Sequence, residues 1–295
     1  MGSKISPTLL LLFFIFAFCL SSNGVHAFGA GNIPSYAFVE GKAFRHGDIE
    51  DALADLVKKG AGGFALSSLI GKGPKFGGLD IKRIYFGNWL RDYSQAVDIG
   101  SLKKVNLQTI LNLVMMLGFM AHGYATAEFE VTIDRLGAYL PTEHIDNPKG
   151  YGEGEDARRY DQRLRGPVHP DELAIDPQTG MKNYIANENG HWDTSKALVR
   201  RVLQECISYG RKYKRSGDKA DQYEAFRLLG QALHTLEDFS AHSNFCELTL
   251  VSMGYTDVFL HVGDSVRVRA LNGKMVAPLV TGTFGGSDFM YSLLG

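Results

Sequence analysis

One stretch of the chain, residues 233–244, does more than any other to restrict the fold, because His234, Asp238 and His242 recur there at four-residue steps. In an α-helix each such step turns about 40° past a full circle, so the three side chains stack along a single face. Tyr223, Phe226, Leu229, Leu233 and Leu236 supply packing residues for a helix that starts at Lys219 and carries this motif. Two imidazoles and a carboxylate on one face are a ligand set that zinc and related divalent ions accept, and an aspartate between two histidines can bridge two metals. A buried histidine bonded to its i+4 aspartate accounts for the first pair without a metal. The third member at the same spacing, followed by Ser243 and Asn244, favours a metal site, with Asp238 as its candidate catalytic carboxylate.

Further candidate ligands are spread along the chain. Asp92 lies in a segment, 86–95, that is dense in polar groups for a core helix, and it can pair with Arg91 or turn inward as a metal carboxylate. His122 ends the most apolar helix, 106–122, where a satisfied core histidine and a ligand at one end of a bundle are both open. His46 immediately precedes a helix that Asp48 caps, and it is either a loop histidine without a task or a ligand. His144, His169 and His191 fall in or beside a polar region, and His144, close to Asp146, is the best placed of them.

Residues 1–27 have the layout of a secretory signal: Lys4, an apolar run from Leu9 to Leu20, then Val25-His26-Ala27 as the cleavage pattern. An exported chain beginning at Phe28 is expected, with an uncleaved signal anchor as the alternative, although the run is shorter than the roughly 20 residues of a spanning helix. A formal net charge of -1 gives no basic excess with which to neutralise the phosphates of a nucleic-acid duplex. Of three cysteines, Cys19 leaves with the signal, and Cys206 and Cys246 remain as one possible disulfide. Any metal must therefore be held by His, Asp and Glu.

The remaining periodicities predict one mainly α domain over 28–295. Asp80 caps a helix that Gly87-Asn88 interrupts, and 106–122 is apolar almost all round, as in a central buried helix. Residues 132–140 form a short helix closed by Pro141. The region 142–189, punctuated by Pro, Gly and Asp, is a long polar insertion suited to a lid. Helix returns at Asp193 or Thr194 with a basic outer face. Over 256–282 apolar runs flank Asn272-Gly273, a hairpin signal, so a small β region follows the helical body. The glycine-rich 60–78 lacks the residue order of a phosphate loop. The last residues, 287–295, look like an element just beginning, which suggests a fragment of a longer chain.

Five blocks in order, FGAGNIP at 28–34, FRHGDIE at 44–50, GNWLRDYSQ at 87–95, EHIDNP at 143–148 and HTLEDFSAHSN at 234–244, resemble the Het-C heterokaryon incompatibility proteins of filamentous fungi. That resemblance implies an exported protein of the cell surface or wall, engaged in nonself recognition and in cell death after hyphal fusion, with an allelic or other nonself protein as partner and a glycine-rich region beyond residue 295. The His-x-x-x-Asp helix also resembles, more distantly, the helical bundle of zinc-dependent phospholipase C and single-strand nucleases. This second resemblance implies a multi-zinc site that hydrolyses phosphodiesters, with His234 and Asp238 carried over, Phe28 at the position of the N-terminal ligand residue and Asp92 in a matching segment.

Two functions follow. In one, zinc held by His234, Asp238 and His242, with Asp92, His122 and His46 as further ligands, hydrolyses a phospholipid or another phosphodiester. In the other, the same helical body is a nonself determinant acting through partner contact at the membrane or cell wall.

Overall fold

The computed structural model describes residues 52, 53, 55 and 76–284. The leader at 1–27, His46, the Asp48-capped helix, most of the glycine-rich 60–78 and the end at 287–295 lie outside the described residues. Within them the protein is mainly helical with one two-stranded antiparallel sheet near its C-terminal end, as the periodicities predict.

Three of the four longest helices among the described residues begin where short polar side chains accept the first free amide protons. Helix α1 (Gly78–Ser94) starts at Gly77 rather than at Asp80, whose carboxylate instead accepts the Gly77 N–H at 3.0 Å. It runs without a break through Gly87-Asn88, against the expected interruption, for a reason that lies in its packing partner. After the single turn α2 (Ile99–Leu102), α3 (Leu107–His122) is capped by the Asn106 side chain and stopped by Gly123 in the left-handed region, φ 78. Only one face of α3 is buried, through Ile110, Leu111, Val114, Gly118 and His122, so it is not the central helix that its composition suggested. Its other face exposes Met116, Phe119 and Met120.

The expected helix over 132–140 is a single turn, α4 (Ile133–Leu136). Pro141 does not close it but opens the next turn, α5 (Pro141–His144), where a missing N–H costs nothing. The insertion at 142–189 contains α6 (Asn183–Ala186) and several 3-10 turns. Its first residues are core: Thr142, Glu143, His144 and Asp146 are all buried. Helix α7 (Ser195–Ser216) is capped by Thr194 and α8 (Lys219–Ala241) by Asp218. After α9 (Phe245–Ser252), strands β1 (Val268–Arg269) and β2 (Met275–Val276) pair around the turn at Asn272-Gly273.

Helix α8 occupies the centre of the fold, with α1 along one side and α7 along the other. Leu198 and Val202 of α7 meet Leu228 and Ala232 of α8, while the largest apolar cluster joins α1 to α3 through Phe86, Trp89, Leu90, Ile110, Leu111 and Val114. At the α1–α8 crossing both helices present glycine. A Cβ on Gly87 would collide with the Arg227 carbonyl, and one on Gly230 with the Ile84 carbonyl. Gly87 is therefore a point of close backbone approach, not a helix break. Four and eight residues beyond Gly230 stand His234 and Asp238, and facing them, the same steps beyond Ile84, stand Asn88 and Asp92. The close crossing thus brings two polar ladders together inside the core. Cys206 and Cys246 are free thiols, so the possible disulfide is not formed.

Candidate metal centre

The site is built where α8, α1 and the turn after α5 meet. His234 and Asp238 come from one face of α8, as the four-residue spacing requires, and both are fully buried. His144 joins them from the end of α5, also fully buried. Its approach depends on Ile145, which sits in the left-handed region at φ 56, unusual for a β-branched residue. Packing of Ile145 against Tyr184 and Ile185 holds that turn. The turn sends His144 inward and lets Asp146 N–H close back on the Pro141 carbonyl at 2.9 Å.

Three ligand atoms converge: His234 Nε2 lies 3.0 Å from Asp238 Oδ2, His144 Nδ1 3.1 Å from the same oxygen, and the two nitrogens are 3.2 Å apart. Two ligands on one tetrahedral zinc with bonds of 2.0–2.1 Å stand about 3.3 Å apart, close to these edges. Hydrogen bonding around the cluster assigns the proton of one ring. Asn88 Nδ2 donates to Glu237 Oε2 at 2.9 Å, because an ionised carboxylate can only accept, and this turns Asn88 Oδ1 toward His234 Nδ1 at 3.2 Å. With its proton on Nδ1, His234 turns Nε2 toward the space it shares with Asp238 Oδ2 and His144 Nδ1. Gln95 Nε2 lies 3.1 Å from His144 Nδ1. The opposite nitrogen of His144, Nε2, is buried with no hydrogen-bond partner among the described residues.

A proton on His144 Nδ1 can be shared among these atoms, and a metal ion can take its place. Further carboxylates stand close by. Asp92 Oδ1 stands 4.0 Å from His234 Nε2, and Asp146 Oδ1 3.3 Å from His242 Nδ1. Burial opposes ionisation of Asp238, but the neighbouring His234, His144 and His242 rings outweigh it and hold the carboxyl well below the usual range. The residues present therefore fit a divalent ion, with imidazole nitrogen and carboxylate oxygen as its donors. A second-shell partner on His234 Nδ1 is also the arrangement that orients metal-bound histidines.

His242 does not continue the stack. Helix α8 ends at Ala241, and His242, as its C-cap, turns so that Nδ1 lies 3.1 Å from the His144 carbonyl while Nε2 faces Asp238 Oδ1 at 3.8 Å. Its side chain is 35 % exposed, a partly open wall of the cluster. Asp92 is brought to the edge of the site by α1. His122 is not brought there: it sits among Phe86, Trp89 and Phe129, on the side of α1 that faces α3. Burial, with Lys82 nearby, lowers its pKa to about 4, so it is a neutral core histidine. His46 lies outside the described residues. The residue most needed beyond α8 is His144, signalled in the sequence only by its polar neighbours Glu143 and Asp146 shortly after Pro141.

A buried ion pair fixes the frame behind His144. Arg91 Nη1 donates to Glu143 Oε2 at 3.0 Å, and Nη2 reaches the Arg135 and Leu136 carbonyls, while Gln231 of α8 donates to Glu143 Oε1 at 2.8 Å. One carboxylate thus ties α5 to both α1 and α8. Burial opposes the charge on Glu143, yet Arg91, then His144 and Gln231, hold its carboxyl below the ordinary range.

The sequence model of heterokaryon incompatibility protein Het-C matches residues 9–295. The chain belongs to the Het-C family. No curated protein and no solved structure matches it. Two of the blocks that resembled Het-C proteins, around His144 and His234, are thus the two chain segments that supply the buried cluster of this Het-C protein.

Proposed function

We propose that this chain is an exported, cell-surface nonself-recognition protein of the Het-C type, whose helical body is assembled around a divalent metal ion held by His144, His234 and Asp238. Zinc suits this donor set. The observation that carries the metal reading is the convergence of three buried ligand atoms, two imidazole nitrogens and a carboxylate oxygen, at 3.0–3.2 Å. Family membership supports the biological half. The leader pattern at 1–27 supports export.

A second reading, a phosphodiester hydrolase acting on phospholipid or a related substrate, is favoured by one feature: the half-open His242 wall beside Asp238, Asp92 and Asp146. A metal there would supply Lewis acidity toward a phosphoryl oxygen. Elemental analysis of the purified chain tests the metal for both readings. Bound metal in stoichiometric amount, lost in His144→Ala and in Asp238→Ala, is the expected result, and a metal-free wild-type chain would sink it. A phosphodiesterase or phospholipase assay on the metal-loaded chain then separates the readings, since turnover abolished by Asp238→Ala belongs only to the second.

A further inference from the structure

Residues 245–276 differ from the rest of the fold: none of them is buried. The chain here lies along the helical body, with Phe245 against Phe239 and Val268 beside Gly180, and is fastened at Asn244. Asn244, itself buried, donates to the carbonyls of Leu260 at 2.8 Å and Pro278 at 3.2 Å and accepts the Val280 N–H at 2.9 Å. Two excursions, 245–259 and 261–277, run from that point, the first beginning with α9 and the second ending in the β1–β2 ribbon. Their composition is not that of solvated loops. Leu271 at the ribbon tip is 86 % exposed, Phe259 73 % and Met253 67 %, with Tyr255 and Met275 also exposed. So much exposed apolar surface in one segment is a mark of an interaction face.

Charge selects the partner. The segment 265–284 carries Arg267, Arg269 and Lys274 and no acidic residue. The lobe's carboxylates, Glu247, Asp257 and Asp264, all precede it, and Glu247 already faces His261 at 3.9 Å. Across the ribbon Arg269 is paired with Met275, so a basic and an apolar side chain share one face. Exposed apolar side chains thus stand among cations on this ribbon. A lipid interface accepts them without shape complementarity, taking apolar tips at the headgroup boundary and cations at its anionic groups. Among the described residues no helix is long and apolar enough to cross a membrane, so attachment through this lobe would be to the surface.

We propose that residues 245–278 form a docking lobe for an anionic lipid surface, with Leu271 and Phe259 entering the headgroup layer and Arg267, Arg269 and Lys274 meeting its negative charges. The lobe holds none of the metal ligands, so metal content and lipid binding are separate measurements and either reading can fail alone. The test is flotation of the full chain with vesicles of phosphatidylcholine alone and of phosphatidylcholine mixed with phosphatidylserine. Binding to the mixed vesicles that weakens with added salt is expected, and each of Arg267→Gln, Arg269→Gln and Lys274→Gln should reduce it about fivefold. The double variant Leu271→Ser and Phe259→Ser should reduce binding to both vesicle types. All these positions are exposed, so thermal melts should match the wild type, and the apolar leader is common to every chain compared. Lobe variants that float like the wild type would overturn the proposal, as would a wild-type chain that floats with neither vesicle. A dimer dissolved by Leu271→Ser in a chain without lipid binding would overturn it too, assigning the lobe to a second copy.

Discussion

His122 and His144 sit at comparable places in the sequence, each closing a helix, and the fold uses them in opposite ways. His122 is enclosed by aromatic rings, with its edge against Phe86 and Trp89. Because burial lowers its pKa to about 4, the unfolded chain, titrating near 6.5, binds the proton first as pH falls. Stability from this residue is therefore fully present above about pH 6.5, declines as pH drops toward 4, and levels off below it, a loss on the order of 3 kcal/mol. His122→Phe should remove that share, so stability measured by urea titration at successive pH values should fall less steeply between about 6.5 and 4 than in the wild type. Equal slopes would mean that the ring is charged or solvated in the folded state. Spacing does not separate these two histidines, since each is a single residue without a periodic companion; only the polar neighbours Glu143 and Asp146 set His144 apart from the apolar run that His122 ends. His234 and Asp238 were legible because a helix repeats, and a repeat can be counted. Asn88 and Gln95, which face the cluster from α1 and the turn after it, carry no spacing relation to His234 and Asp238 and emerge only when α1 and α8 are placed side by side.

Among the elements, the α1–α8 crossing is where local propensity and tertiary packing disagree. Gly87 within a helix costs local stability, and read alone it suggests a break. The facing glycines instead let the two backbones meet, which sets the polar ladders of Asn88 and Asp92 opposite those of His234 and Asp238. Gly230→Ala should force the helices apart against the Ile84 carbonyl and destabilise the protein by about 1–3 kcal/mol, as overpacking does elsewhere. Gly210, inside α7 with nothing within 4 Å of the position a Cβ would take, is the control: Gly210→Ala should stabilise by roughly 0.5–1 kcal/mol. Thermal melts of the two variants check both signs, and a Gly230→Ala chain as stable as Gly210→Ala would show that the crossing can relax. The same logic explains α3. Its all-round apolar composition suggested burial, but the neighbours available, α1 and the turn at Phe129, cover only one side of it.

For the molecule as a whole, the cluster joins parts of the chain that are remote in sequence, His144 on one side and His234 with Asp238 on the other. The polar stretch 142–189 looked like a lid because its composition is that of loops, yet its opening residues face inward, tied down by the Arg91–Glu143 pair. Polar composition reports solvent or buried networks equally, and a buried network costs stability when its charges are left unmatched. A bound ion would match them and also cross-link the two segments, so folding and metal binding should be coupled. With free zinc about a thousandfold above its dissociation constant, coupling of this kind contributes about 4 kcal/mol, or a melting shift on the order of 10 °C for a domain of this size. A chelator should therefore lower the melting temperature of the wild-type chain, and re-added zinc should restore it. His144→Ala should melt low from the start and respond to neither. If the wild type melts identically with and without chelator, protons alone fill the cluster, and the helical body owes its stability to packing and the Arg91–Glu143 tie.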